Sequence, residues 1–417
     1  MQLSRRDFIA TGAALAALPA FSQDDDGLVV HEWGVVSIAY GSSVWGNARS
    51  AGSKAIQGGE QPSDLPAFVE TWEQSVNAQI EDWRCQPVDK PVVYFYSKKA
   101  MEVRVEVRVP VGRPKAWWPY ASAFQPGFDG TPMRGCEETP EVKLTDIKPV
   151  NGRLVWEKLS LDPAIEKFPA AGGWWSTARG VGATPFSFPA EPRPLKFGSI
   201  RGKHPLGKGV EPNEKFLFYD ALTPVDPGIS VVWTRDGKAT VTAEKHALGA
   251  VIAIRVKNGK CTAAAHGALA KAASCTLAPD AGEPALAPAL VKAGLYGKEA
   301  AAVAEIWKDE FSKVDGARVL ALMPLPFYNA LFPIEIKPAP KELVRVLVAH
   351  LECLDPDLQA QADAWIDQFA NDSIEERDAA AAKLRKLGPL VEGTIRRAAE
   401  NAKDSETKAR LLELLKR

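Results

Sequence analysis

The run Leu28–Ser37, LVVHEWGVVS, sets an imidazole, a carboxylate and an indole side by side at His31, Glu32 and Trp33. A histidine and a glutamate could exchange a proton as an acid–base pair, or hold a polar ligand against the indole. A strand, however, sends alternate side chains to opposite faces, so His31 and Trp33 share one face while Glu32 takes the other. The simplest reading is a half-buried imidazole hydrogen-bonded to a backbone carbonyl beside a packed Trp33; ligand contact comes next, and metal or acid–base work last. A second group is aromatic and charged: Trp174, Trp175 and Arg179 in WWSTAR, with Glu214 further on. Such rings beside a guanidinium could stack on sugars or grip a peptide, although cores and loop anchors also consume tryptophan.

Other chemistries lack their motifs. There is no Gly-x-Ser-x-Gly elbow, and RGKHPLGKG at 201–209 lacks the spacing of a phosphate loop. A metal held by His31 would need distant help from His204, His246 or His266, so no metal site is expected. Five cysteines form no Cys-x-x-Cys pair; Cys261 with Cys275, or Cys85 with Cys136, could close a disulfide in an oxidising compartment. A formal net charge of −1 gives no pull toward nucleic acid.

The elements that must position these residues fall into blocks. Arg5-Arg6 ahead of a short Ala-rich apolar run, ending Ala20-Phe21-Ser22, has the form of a twin-arginine export signal over residues 1–22. That run is too short and too interrupted to span a bilayer, so a periplasmic or secreted protein with no integral membrane segment is expected. Residues 23–280 read as a β-rich body with sandwich-like units at about 28–165 and 213–280. In MEVRVEVRV, residues 101–109, valines alternate with charges as in a half-exposed antiparallel strand. Asp236-Gly237 and Asn258-Gly259 mark hairpin turns. The Pro- and Gly-rich stretch 163–212 reads as long ordered loops.

From 281 to 356 helices and strands mix: helices over 283–295 and 297–313, a strand over 317–324, and a helix over 341–354 whose Leu343, Leu347, Leu351 and Leu354 form a stripe. Residues 357–417 read as four helices, with Ser373 and Glu376 as a capping box and a HEAT-like pattern running to Leu387-Gly388-Pro389. The fold class is therefore α+β: a β-rich, sandwich-like antiparallel body, a mixed part and an all-helical HEAT-like appendage.

Several segments resemble a family of uncharacterised exported bacterial proteins that open on His-Glu-Trp-Gly-Thr. They are LVVHEWGVVS, PVVYFYS at 91–97, WWSTAR at 174–179, EKFLFY at 214–219, and the run from Trp307 through ARVLALMP, FPIEIKPAP and VRVLVAHLECLDP. The similarity is scattered over roughly residues 28–356. It implies a shared fold and an exported location, and brings no known activity, substrate or cofactor. Val35 replaces the family's threonine and Asp220 stands where a basic residue is common.

The expectation is a binding or structural protein of the cell envelope, taking a carbohydrate or peptide on its aromatic loops and a protein partner on its tail. The rival is a hydrolase of an envelope polymer, with His31, Glu32, Arg179 and Glu214 as its polar set. The placement of His31 and Arg179 in two family-like segments also predicts that they come within reach of one pocket.

Overall fold

A computed structural model of the chain describes residues 27–40, 65–66, 68–71, 85–125, 152–189, 212–280, 282–371, 373–387 and 391–415. The export-like segment and the second cysteine of the 85–136 pair lie outside these residues. The fold is mixed α/β. Its first strands are β1 (Val29–Tyr40), β2 (Glu70–Thr71), β3 (Cys85–Tyr96), β4 (Met101–Val109), β5 (Arg113–Trp118) and β6 (Ala123–Gln125). Next come β7 (Gly152–Leu161), β8 (Phe186–Ser187), β9 (Asn213–Glu214), β10 (Phe216–Pro224), β11 (Ile229–Trp233) and β12 (Ala239–Ala243). The last six are β13 (Val251–Lys257), β14 (Lys260–His266), β15 (Ser274–Leu277), β16 (Gly316–Met323), β17 (Ile334–Lys337) and β18 (Glu342–Cys353).

Four helices belong to the body: α1 (Gly173–Arg179), α2 (Leu286–Lys292), α3 (Gly297–Ser312) and α4 (Leu325–Leu331). Four follow as a tail: α5 (Pro356–Asp367), α6 (Ile374–Leu387), α7 (Glu392–Asn401) and α8 (Ser405–Glu413).

One nine-stranded sheet organises the body, in the order β14-β13-β16-β18-β1-β3-β10-β5-β2. Strands from both expected β units and from 281–356 thus share a single sheet. Every pairing in it is antiparallel except the central one, where β1 runs parallel to β18 over its whole length, Val29 opposite Glu342 through Tyr40 opposite Cys353. The first and last strands of the body therefore meet at a seam. A six-stranded sheet containing β4 and β7 lies against one face, through Phe95 on Phe186 (5.7 Å) and Trp117 on Phe124 (4.8 Å). Strands β11, β12 and β15 form a third, smaller sheet.

The local reasons are legible. In β4 the valines are buried, while Arg104, Arg108 and Arg153 all hydrogen-bond Glu106. At the β13–β14 turn, Asn258 (φ 52°) and Gly259 (φ 71°) both sit in left-handed backbone, as a tight hairpin requires.

Two expectations need correcting. Residues 342–353 are a strand, β18, not a helix. This strand is covered on both faces, so its apolar residues run continuously and produce a leucine stripe by coincidence; Val344, Val346 and Val348 favour the extended chain. Residues 173–179, inside the expected loop stretch, are a helix, which lets adjacent Trp174 and Trp175 both be buried.

The tail has its own apolar core, built on Leu354, Phe369, Leu384, Val391, Ile395 and Leu411 and separate from the body's. It is tied to the body by charge: Arg255 forks onto Asp355 at 2.8 and 3.1 Å, and Lys257 reaches Asp357. A chain lacking residues 357–417 is therefore expected to keep a cooperative thermal transition with the body's circular dichroism. Loss of that transition, or aggregation, would place the tail within the body's core.

Candidate functional site

His31 and Glu32 leave β1 on opposite sides, as alternation requires, and each meets a different element. His31 is fully buried. Its Nδ1 lies 2.7 Å from Glu299 Oε2, on the first turn of α3. Glu299 also accepts from Tyr96 Oη at 2.7 Å and from the Tyr296 amide at 2.6 Å, so it caps the helix as it holds the histidine. The imidazole packs against Tyr296 and Tyr96, with ring centroids 4.3 and 5.3 Å away. Burial, followed by the Glu299 charge, raises the pKa of Tyr96 and keeps it a donor. The Nε2 of His31 is buried with no partner among the described residues.

Glu32 is equally buried. It accepts from Arg345 Nε at 2.5 Å, from Tyr328 Oη at 3.0 Å and from Tyr219 Oη. Arg345 stands directly opposite Glu32 in the parallel register and is itself fixed by the Phe332 carbonyl (2.8 Å) and the Tyr328 ring (4.2 Å). Burial and then the Glu32 charge push Tyr219 and Tyr328 far above the usual phenol range, so both remain donors. Gly34 completes the motif. A Cβ there would come within 3.1 Å of Tyr328 Oη, so the glycine leaves room for the phenol that reaches Glu32.

Trp174, Trp175, Arg179 and Glu214 do come together. Arg179 donates to Glu214 from Nε (2.8 Å) and Nη2 (2.6 Å), while the indoles of Trp118 and Trp175 donate to the same carboxylate at 3.2 and 3.1 Å. Phe168 and Phe68 flank the guanidinium at 5.7 and 6.0 Å. Glu214 is fully buried and Arg179 is partly buried. The expected meeting of His31 with Arg179 in one pocket is not what their bonds describe. Each closes onto its own carboxylate, with Tyr94 between them: it pairs with His31 across the sheet and donates to the Ala178 carbonyl of α1 at 3.0 Å.

A fourth polar cluster escaped the sequence reading. Ser37 Oγ lies 3.3 Å from His350 Nδ1, His350 Nε2 lies 3.0 Å from Glu352, and Arg318 donates twice to Glu352 at 2.9 and 3.1 Å. These are the residue types of a hydrolytic triad. Yet Ser37, His350 and Arg318 are essentially unexposed, and Glu352 is already held by the arginine. Desolvation opposes the Glu352 charge, but the His350 and Arg318 hydrogen bonds outweigh it and lower its pKa. Arg318 also donates to the carbonyls of Phe311 and Val314, fixing the C-terminal end of α3.

An open recess lies elsewhere among the described residues. Between β11, the end of β18 and helices α5 and α7 is a cleft of about 680 Å³, within the range of small-ligand sites. Trp233, Glu244, Asp367 and Arg397 line it, and none of them carried a motif. Cys353 lines it too, and burial raises that thiol far above its usual range. Cys261 and Cys275 are free thiols rather than a disulfide. Among the described residues no group of His, Cys, Asp and Glu is placed to hold a metal ion, and no helix is long and apolar enough to cross a membrane. No family model matches the chain, and no curated protein matches it in sequence.

Two predictions follow from these charges. Glu32→Gln leaves Arg345 buried without its anion and is expected to cost about 3–5 kcal/mol. Adding Arg345→Met should recover much of that in denaturant unfolding, whereas additive losses would mean that the two residues do not interact. The second prediction concerns pH. Burial pushes Glu70 from its ordinary 4.5 up to about 7, against a hydrogen bond from Trp117. Hydrogen bonds led by Arg153 hold Glu106 down at about 2. Glu106 stabilises the fold above pH 4.5 and loses that effect as pH falls toward 2. Glu70 favours the protonated fold, so its contribution is present below 4.5 and is lost as pH rises through 7. Thermal stability should thus fall between about pH 4.5 and 7, by on the order of 3 kcal/mol. Glu70→Gln should remove that fall; an unchanged profile in the variant would contradict the assignment.

Proposed function

We propose that this protein is an exported binding protein of the cell envelope, and that its ligand sits in the cleft between the body and the helical tail. The observation that carries the reading is a contrast. The charged residues singled out in the sequence are held by protein partners, whereas the cleft is roomy and presents Glu244, Asp367 and Arg397, which have no side-chain partner among the described residues, beside an apolar floor. A hydrolase built on His31, Glu32, Arg179 and Glu214 would need carboxyl groups facing each other across room for water and substrate. Glu32 and Glu214 are instead each enclosed by protein donors.

Export rests on the Arg5-Arg6 segment and on the family resemblance. The stacking of the two larger sheets supports a sandwich-like body, and the four-helix tail with its capped α6 supports the HEAT-like reading. In this picture the tail is one jaw of the cleft, and the body is the other.

Ala398, half-buried on α7, lines the cleft, and a tryptophan there would put a bulky ring in the way of a ligand. Native mass spectrometry of the full chain, incubated with a periplasmic extract, should detect a ligand on the natural protein and none on a folded Ala398→Trp variant. Equal capture by both would overturn the proposal.

A further inference from the structure

We infer that the ligand of this cleft is a basic, partly apolar peptide segment, an inference that rests on the cleft being a binding site at all. The floor is apolar, made by Val231, Trp233, Leu354, Ile366 and Ala398. Around it stand three carboxylates, Glu244, Asp363 and Asp367, against one guanidinium, Arg397, so the lining is net negative.

The charges are not equally engaged. Asp363 accepts from Gln359 Nε2 at 2.7 Å, and Gln359 in turn accepts from Thr394 at 2.9 Å, which braces α5 against α7. The side chains of Glu244, Asp367 and Arg397 have no partner among the described residues, and all three are exposed. One carboxylate sits on the body and the other on the tail, so a ligand spanning the cleft meets both.

A neutral sugar would leave the charges of Glu244 and Asp367 unmatched. A lysine or arginine side chain supplies the missing positive charge and can lie over the Trp233 ring. An apolar neighbour covers the floor. Arg397 then matches a peptide carbonyl or terminal carboxylate, which a bare polyamine lacks. Val232, itself part of the lining and 60% exposed, adds apolar surface that an apolar side chain of the peptide would cover.

The test is calorimetric titration of the full chain with three probes: the peptide Lys-Leu-Lys-Leu-Lys, its glutamate counterpart Glu-Leu-Glu-Leu-Glu, and maltotetraose. The lysine peptide should bind. Its affinity should fall with rising salt and by about tenfold or more in the Glu244→Gln, Asp367→Asn double variant, and binding should vanish in Ala398→Trp. Both substituted carboxylates are exposed, and unchanged circular dichroism would confirm that the double variant folds. Binding of the glutamate peptide or the sugar, blocked by Ala398→Trp, would overturn the peptide inference and leave the cleft as a site. Failure of all three probes, with extract ligands unaffected by Ala398→Trp, would overturn both.

Discussion

The body depends on one seam, where its first strand lies parallel to its last. Parallel pairing fixes no register by itself, and a one-residue slip would turn every side chain to the wrong face. Glu32 opposite Arg345 sets the register on one face. On the other, Ser37 stands opposite His350, and His31 reaches Glu299 on the helix that covers the seam. Buried ion pairs add little net stability compared with apolar packing, but breaking one is costly. Their use here is to make one alignment of two distant segments far better than its neighbours.

That constraint organises the polar interior. Helix α3 lies on the seam with its first turn held by His31 through Glu299, and its last carbonyls held by Arg318. Helix α4 covers the opposite face and offers Tyr328 to Glu32 across the gap that Gly34 leaves. Arg179 and Glu214 perform the same service where α1 meets the aromatic surface of β5 and β10. The charges used to align the fold are sealed inside it. Around the cleft, by contrast, the side chains of Glu244, Asp367 and Arg397 are exposed and have no partner among the described residues.

Much of this was legible in the sequence, unevenly. The valine–charge alternation of β4, the hairpin turns, helices α2 and α3 and the tail helices all depend on local pattern, and local pattern revealed them. The opposite facing of His31 and Glu32 also followed from alternation alone. Their partners did not: Glu299, Arg345, Tyr219 and Tyr328 are brought in by tertiary contacts across more than 180 residues. A faint signal existed, since Arg345 is a lone charge early in an otherwise apolar run and Glu299 falls three residues after Tyr296, where a helix cap is expected. Strand β18 was misread because a strand buried on both faces has no polar side to reveal its period. The cleft left no mark, because its walls come from β11, β18, α5 and α7, and each wall looks ordinary by itself.

The most direct test of this account is native-state hydrogen exchange on the full chain and on the Glu32→Gln variant. The amides of residues 31–36 and 344–349 should be among the slowest to exchange. In the variant their protection should drop together while α6 to α8 remain unchanged. If the variant kept full protection across the seam yet lost ligand binding, the His-Glu-Trp-Gly motif would be a binding site and not the fastening of the fold.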